Sequence, residues 1–120
     1  MSLSGLIARR GSIATVHRHV DTRTTDGNSV RTYPTSTRNV GMLIEDISDE
    51  LVRRVFGAGT KATLRALVPG FSTIAKDDGI TITAAAHVGE RFRVAGILVH
   101  AAGASPHREL ALAVTTEDFT

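Results

Sequence analysis

Three segments in the last third of the chain alternate apolar and polar residues, and this alternation restricts the fold more than any other feature. The segments are residues 80–83, 91–94 and 109–114. Side chains two positions apart share one face of a β-strand, so each segment has one apolar face. The expected inner faces contain Ile80, Ile82, Phe92, Val94, Leu110, Leu112 and Val114, and the expected outer faces contain Thr81, Thr83, Arg91, Arg93, Glu109 and Ala111. The pattern predicts three consecutive strands.

Three earlier segments, residues 13–20, 39–45 and 60–68, also alternate and are predicted to be strands. Their expected inner residues are Ala14, Val16 and Val20, then Val40, Met42 and Ile44, then Ala62, Leu64, Ala66 and Val68. Residues 21–37 between the first two are rich in Thr, Ser, Asp and Gly and contain Pro34, which has no backbone donor for a sheet. We expect a hairpin tip or an extended loop there.

One helix is predicted within residues 46–57. Ser48 is a suitable N-cap, Asp49 and Glu50 suit the positive end of the helix dipole, and Gly57 can end the helix. The shared apolar face consists of Leu51, Val52 and Val55. Because its caps are self-contained, we expect residues 45–60 to be an insertion that the core does not need for folding.

The predicted fold is therefore all-β: a small six-stranded antiparallel barrel or sandwich with one short helix inserted between strands 2 and 3. At 120 residues the chain is long enough for one domain. We divide it into an N-terminal arm (residues 1–11), a single β-domain (12–115) and a flexible tail (116–120).

Composition narrows the class of function. The chain has no cysteine, which excludes disulfides, thiol nucleophiles and thiolate metal sites. Four Phe, one Tyr and no Trp leave a thin core of Val, Ile, Leu and Ala, for which association with neighbours would add stability. We expect neither a secretory signal nor a membrane-spanning segment.

Charge is concentrated at the front of the chain. Residues 1–40 contain six Arg and two Asp, which gives +4, so the other eighty residues carry −2 of the net +2. This basic third is either a solvated arginine-rich surface or a face for a polyanion or an acidic partner.

Candidate catalytic and metal sites are weak. His17 and His19 are two apart in a strand and could share a metal ion with one of His87, His100 and His107, but the sequence contains no established metal motif, and surface or partner contacts are the simpler interpretation. Asp77-Asp78 before Gly79 indicates a turn rather than an acid–base pair. No nucleophile elbow, phosphate loop or dinucleotide motif is present. We expect no enzyme, no metal and no cofactor.

Recognition of nucleic acid by a small barrel needs basic residues interleaved with stacking aromatics. Arg91-Phe92-Arg93 is the nearest case, and the alternation directs Phe92 inward. Arg53 and Arg54 on the predicted helix could still contact phosphates without sequence preference.

The order of these features resembles the head-completion or stopper proteins of long-tailed bacteriophages, over residues 13–114. The resemblance is carried by strand 13–20, Asp26-Gly27 with Thr32-Tyr33 after it, the strand that runs into residues 44–50, Asp78-Gly79-Ile80, residues 89–94, and the final strand 107–114. It implies a small β-barrel that forms a ring in the phage neck, assembled in the host cytoplasm. Stopper, adaptor and tail terminator remain alternatives for the layer.

The resemblance also implies partners. These are further copies of the chain in a hexameric or dodecameric ring, the portal or adaptor ring above, the tail terminator or tail tube below, and packaged double-stranded DNA, with no membrane. The segment between strands 2 and 3 would close the channel, so Glu50, Arg53 and Arg54 are candidate DNA contacts. Candidate docking residues are Leu3, Leu6, Ile7, Arg23, Arg31 and Tyr33.

Two other functions remain open at this stage. One is a solitary small-barrel module that binds nucleic acid or a peptide. The other is a metal-using enzyme of cupin-like shape that relies on His17 and His19.

Overall fold

The six strands close into one antiparallel barrel. The computed structural model describes residues 3–57, 59–62, 64–69, 73–85, 87–100, 106–117 and 119, with the backbone alone at Leu3, Ser4, Leu6 and Asp49. Its elements are α1 (Leu3–Arg10), β1 (Ser12–Arg23), β2 (Ser29–Asp46), α2 (Asp49–Phe56), β3 (Leu64–Pro69), β4 (Gly79–Ala84), β5 (Arg91–His100) and β6 (His107–Val114). The strand order around the barrel is β1-β2-β3-β6-β5-β4. The predicted all-β class and the helix between strands 2 and 3 are confirmed, and the sheet is a barrel rather than a sandwich.

The barrel interior is filled by the predicted apolar faces. Phe92 is its largest buried side chain. The other core residues are Ala14, Val16, Met42, Leu64, Ala66, Val68, Ile74, Ile80, Ile82, Val94, Leu110 and Leu112. A core with one aromatic ring depends on close fitting of aliphatic side chains. Every residue of this set that was predicted to face inward does so.

Four face predictions are wrong. Ala62 was expected inside the barrel and is instead buried outside the sheet, with Val52 and Ala111. Val114 is 67% exposed because it is the last residue of β6, at the rim of the barrel. Val20 is 43% exposed because it lies in the part of β1 that extends past β4. Ala111 was expected outside and is fully buried, because α2 covers the outer surface of the sheet there.

The helix α2 is docked on the barrel. Ser48 caps it by accepting a hydrogen bond from the Leu51 N–H at 3.3 Å, as predicted, and Gly57 ends it with a φ of 111°. Val52 is buried with Ala62 and Ala111 in a second, smaller apolar cluster on the outside of the sheet. The helix therefore packs on the outside of the sheet, and that the barrel can fold without residues 45–60 stays a prediction.

Both ends of the chain pack on the barrel. The arm is a two-turn helix, α1, and the Ile7 side chain lies against Gly41, where a β-carbon would come within 2.6 Å of Ile7 Cγ2. The tail predicted to be flexible instead contains Phe119, which is only 3% exposed. Neither described helix is long enough to cross a bilayer.

Candidate functional site: the projecting hairpin

The long hairpin formed by β1 and β2 extends beyond the barrel. Pairing of β1 with β4 ends at His17, and pairing of β2 with β3 begins only at Leu43. Residues 18–38, here called the projecting hairpin, are therefore paired only with each other among the described residues. The molecule is correspondingly elongated, at 52 × 31 × 25 Å. Each strand of the projecting hairpin has an outer edge with unpaired backbone groups, which is the usual template for adding another strand.

Residues 21–37 were expected to be a hairpin tip or an extended loop; they form a hairpin, and its strands continue through most of the segment. Only residues 24–28 form the turn, with Gly27 at a φ of 88°. A two-stranded ribbon buries neither face, so its polar sequence lacks the alternation that signals a half-buried strand. Asp26 accepts hydrogen bonds from the Thr24 hydroxyl and the Asn28 backbone, and these bonds stabilise the tip.

Two β-bulges connect the projecting hairpin to the barrel. In each, two residues of β2 lie opposite one residue of β1: Arg38-Asn39 opposite Thr15, and Tyr33-Pro34 opposite His19. Asn39 adopts a φ of 57°, which Asn tolerates better than most residues. Pro34 fits at a bulge because no ladder donor is required there. Bulges bend and twist a ribbon, so these two fix the direction in which the hairpin leaves the barrel.

One face of the projecting hairpin is uncharged and β-branched. Val20 pairs with Thr32 and Thr22 pairs with Val30, which places all four on the same face. All four are exposed, Val20 at 43% and Val30 at 45%. Exposed valines at neighbouring positions on a ribbon with free edges are suited to contact with another protein surface.

The other face is charged. The Arg31 Nε donates to Asp21 Oδ1 at 2.8 Å, and Arg31 Nη2 lies 3.6 Å from Asp77 Oδ2 in the turn before β4. The hydrogen bond from Arg31 lowers the pKa of Asp21, and the same bond raises the pKa of Arg31. These ion pairs lie near the barrel end of the hairpin and connect it to the turn before β4.

Asp78 anchors the base of the hairpin. The turn predicted at Asp77-Asp78 is present, but Asp78 is also 1% exposed, which the sequence did not indicate. Its carboxylate accepts hydrogen bonds from the His19 N–H at 3.1 Å, from His19 Nδ1 at 2.6 Å and from the Ala75 N–H at 2.9 Å. His19 lies at the bulge, so Asp78 supplies the acceptor that the β2 ladder does not.

Three rings meet beside this anchor. Phe119 stacks on His17 with ring centroids 4.9 Å apart, and Tyr33 meets Phe119 edge-on at 4.8 Å. The Tyr33 hydroxyl donates to Glu117 Oε1 at 2.9 Å. Burial, followed by the bond to Glu117, raises the pKa of Tyr33, and burial lowers the pKa of His17. His17 contacts Thr81 and Phe119, while His19 contacts Asp78, so both histidines have partners inside the fold.

Two concave surfaces flank the base of the hairpin. A cavity of about 350 Å³ lies at the barrel end between Val16, Val40 and Ile74, with Arg18 and Arg38 also lining it. A wider groove of about 770 Å³ runs along the other side. It is lined by Thr15, His17, Tyr33, Pro34, Thr35, Ser36, Arg38, Asn39, Thr81, Thr83, Arg91 and Phe119.

The candidate residues from the sequence fall on four elements: α1, β1, β2 and α2. Glu50, Arg53 and Arg54 lie on the exposed side of α2, with Arg54 Nη2 2.8 Å from Glu50 Oε1. Such an exposed pair contributes little to stability. Arg53 and Arg54 therefore remain available to an external anion.

The docking candidates lie partly in the projecting hairpin and partly in α1. Arg23, Arg31 and Tyr33 belong to the projecting hairpin, where Arg23 is exposed and the other two contact the protein itself. Ile7 packs on Gly41 of its own barrel, so it is not a free docking side chain. The side chains of Leu3 and Leu6 lie outside the described part of the structure.

Comparison with known proteins supports the fold. No protein-family model matches the chain, and no curated protein matches it. Among solved structures, the solution structure of protein SF1141 from Shigella flexneri 2a is similar, with a TM-score of 0.61 and 14% sequence identity over 89% of this chain and 94% of that one. Likeness at this identity shows the fold alone, and that fold is the one described above.

Proposed function

We propose that the protein is a structural subunit of the neck of a tailed bacteriophage, which forms a ring that joins the head to the tail and closes the DNA channel. The observation that carries the proposal is the projecting hairpin. A ring needs each subunit to reach its neighbour through a surface that its own fold leaves unsatisfied. Free strand edges beside exposed Val20 and Val30 supply such a surface.

The helix α2 supports the second half of the proposal. It lies between β2 and β3. In the stopper proteins that this chain resembles, the segment at this position closes the channel. Its apolar side is fixed on the barrel through Val52, so the exposed side with Arg53 and Arg54 is held in a defined orientation. Cationic side chains on a fixed helix suit contact with the phosphates of packaged DNA.

The first test is assembly. Val20→Asp and Val30→Asp together would place two carboxylates on the face proposed to meet a neighbour, at positions that are exposed in the single chain. The control is Val88→Asp. Val88 is also an exposed valine, 62% exposed, but it lies in the turn before β5 and outside the projecting hairpin. Ring formation is followed by electron microscopy after the protein is mixed with the head and tail components encoded beside its gene.

The proposal predicts rings with the natural protein and with the Val88 control, and no rings with the double variant, although all three unfold at similar temperatures. Rings formed equally well by the double variant would remove the hairpin from the interface. Absence of head and tail genes from the neighbourhood would contradict the neck assignment itself.

A second candidate function is a small-barrel module that binds single-stranded nucleic acid. The groove of about 770 Å³ favours it, because Arg38 and Arg91 line a surface otherwise rich in hydroxyl groups. Arg38→Ala with Arg91→Ala should then weaken binding of a labelled oligonucleotide, whereas Arg93→Ala, at an exposed arginine that does not line the groove, should not. Equal binding by all variants would exclude the groove as the nucleic-acid site.

A further inference from the structure

Two histidines and a glutamate meet at the end of the β5–β6 hairpin where the chain passes from β5 to β6. His100 is the last residue of β5, His107 is the first residue of β6, and the two are paired directly opposite each other. Glu109 follows two positions after His107 and therefore lies on the same face of β6. His100 and His107 are seven positions apart in the sequence, and the pairing register of β5 and β6 brings them together.

The donor atoms of the three side chains are close. Glu109 Oε1 is 3.3 Å from His100 Nε2 and 3.9 Å from His107 Nε2. One ligand atom from each residue lies within 4.8 Å of the other two. The imidazole rings are stacked with centroids 4.5 Å apart, and both direct Nε2 toward the same carboxylate.

These distances approach those of a coordination sphere. Two N or O ligands at about 2.0–2.2 Å from a tetrahedral zinc ion are about 3.3–3.6 Å apart. The separations of Glu109 Oε1 from His100 Nε2 and His107 Nε2, 3.3 and 3.9 Å, lie at or slightly above this range. Closure around an ion needs shifts of about 1 Å in the side chains, with no change in the strand pairing.

The surroundings favour a cation. Glu109 has a side chain only 15% exposed, and its neighbours on the adjacent strands are Leu67 of β3 and Leu98 of β5. A carboxylate between leucines is costly to bury without a positive partner. His100 Nε2 is buried and, among the described residues, makes no hydrogen bond of acceptable geometry.

We propose that His100, His107 and Glu109 form a binding site for a divalent transition-metal ion of the zinc class. Two neutral imidazoles and one carboxylate are ligands that such ions prefer, and three protein ligands leave a fourth position for water. The bound ion links the last residue of β5 to the first residues of β6. This site is separate from His17 and His19, whose contacts lie at the base of the projecting hairpin.

The test uses the full chain without an affinity tag, after treatment with a chelator. Zinc is titrated by calorimetry, and cobalt is added as a spectroscopic probe whose visible absorption reports tetrahedral coordination. The expected result is one ion per chain and a higher unfolding temperature with zinc. His100→Ala and Glu109→Gln should each weaken zinc binding by more than about tenfold.

The matched control is His87→Ala. His87 forms a pair with Glu90 at 2.9 Å and so offers a histidine and a carboxylate without the third donor that the proposed site has. The His87→Ala variant should bind zinc as the natural protein does. Failure of the natural protein to bind zinc, or unchanged binding in both His100→Ala and Glu109→Gln, would overturn the proposal.

Folding must be checked because Glu109 is largely buried. Glu109→Gln keeps the shape of the side chain and removes the charge, and His100→Gln provides a second variant at a more exposed position. Loss of zinc binding counts for the proposal only in variants that keep the far-ultraviolet circular dichroism of the natural protein. Folded variants of both residues that still bind one zinc ion with natural affinity count against it.

Discussion

Phe119 lies so close to Gly79 that a β-carbon at position 79 would come within 2.5 Å of the phenyl ring. Gly79 is the first residue of β4, and Phe119 is the next to last residue of the chain. The contact places the C-terminal segment across the junction of β1 and β4, where Phe119 also stacks on His17. A residue without a side chain is therefore required for the tail to pack.

Gly79→Ala should displace the tail and destabilise the protein. The loss should approach that of Phe119→Ala, about 1.5–3 kcal/mol, because burial of the ring is what both changes remove. The free energy of unfolding is measured by urea denaturation for each variant and for the two combined. The combined variant should be little worse than Phe119→Ala alone, and simple addition of the two losses would show that they act at independent places.

Val52→Ala should destabilise the barrel even though Val52 lies outside its core. Val52 is 1% exposed beneath α2, and removal of its two methyl groups should cost about 1.6 kcal/mol at about 0.8 kcal/mol each. Leu51→Ala is the control on the same helix, because Leu51 is 37% exposed and should cost much less. Equal effects on the urea midpoint would show that α2 is not docked through Val52.

Stability should fall on the acid side of neutrality through His17. Burial lowers the pKa of His17 below its ordinary value of 6.5, so the unfolded chain takes up a proton at a higher pH than the folded chain does. The contribution of neutral His17 to the free energy of unfolding is complete above pH 6.5. It is lost as the pH falls through the lower pKa that His17 has in the folded state. His17→Gln should unfold with a smaller difference between pH 7.5 and pH 5 than the natural protein shows. A His17→Gln variant that keeps the full difference between the two pH values would contradict this role.

Arg53→Glu with Arg54→Glu should reduce retention of DNA in assembled particles. The side chains are exposed on α2, and contact with phosphates should be non-specific and weakened by salt. The control is Lys76→Glu with Arg93→Glu, which makes the same change of charge at two other exposed positions. DNA released on dilution is measured at low and high salt in particles shown to be complete. Normal retention of DNA by the α2 variant would show that both arginines face solvent and do not contact DNA.

The sequence predicted the strands that have a buried face and missed what depends on distant contacts. Phe92 and Val94 belong to a clear alternation, and both are buried as expected. Ala111 belongs to the same kind of alternation and was placed outside, because nothing in the local pattern shows that α2 will cover it. Phe119 was missed for a related reason, since an isolated aromatic residue near a chain end has no periodicity.

The candidate site was predicted only in part. Arg23, Arg31 and Tyr33 belong to a segment expected to be a hairpin tip or an extended loop, and they lie in the projecting hairpin. Their environment depends on the bulges and on Asp78, neither of which leaves a distinct local signal. His100 and His107 were considered only as third partners for other histidines, because the register that places them opposite each other is a property of the folded sheet.

Closure of the barrel decides where another chain can add backbone hydrogen bonds. Closure of the sheet leaves few edges free, and among the described residues the longest unpaired one is the outer edge of β2 in the projecting hairpin, while residues 95–100 of β5 have a shorter one. In the described part of the chain, the projecting hairpin is then the longest arm that another subunit could meet, and its two bulges fix its direction. If subunits associate through this arm, as proposed above, growth is polar, with one subunit's arm on the next subunit's body, and it ends when the last arm meets the first body.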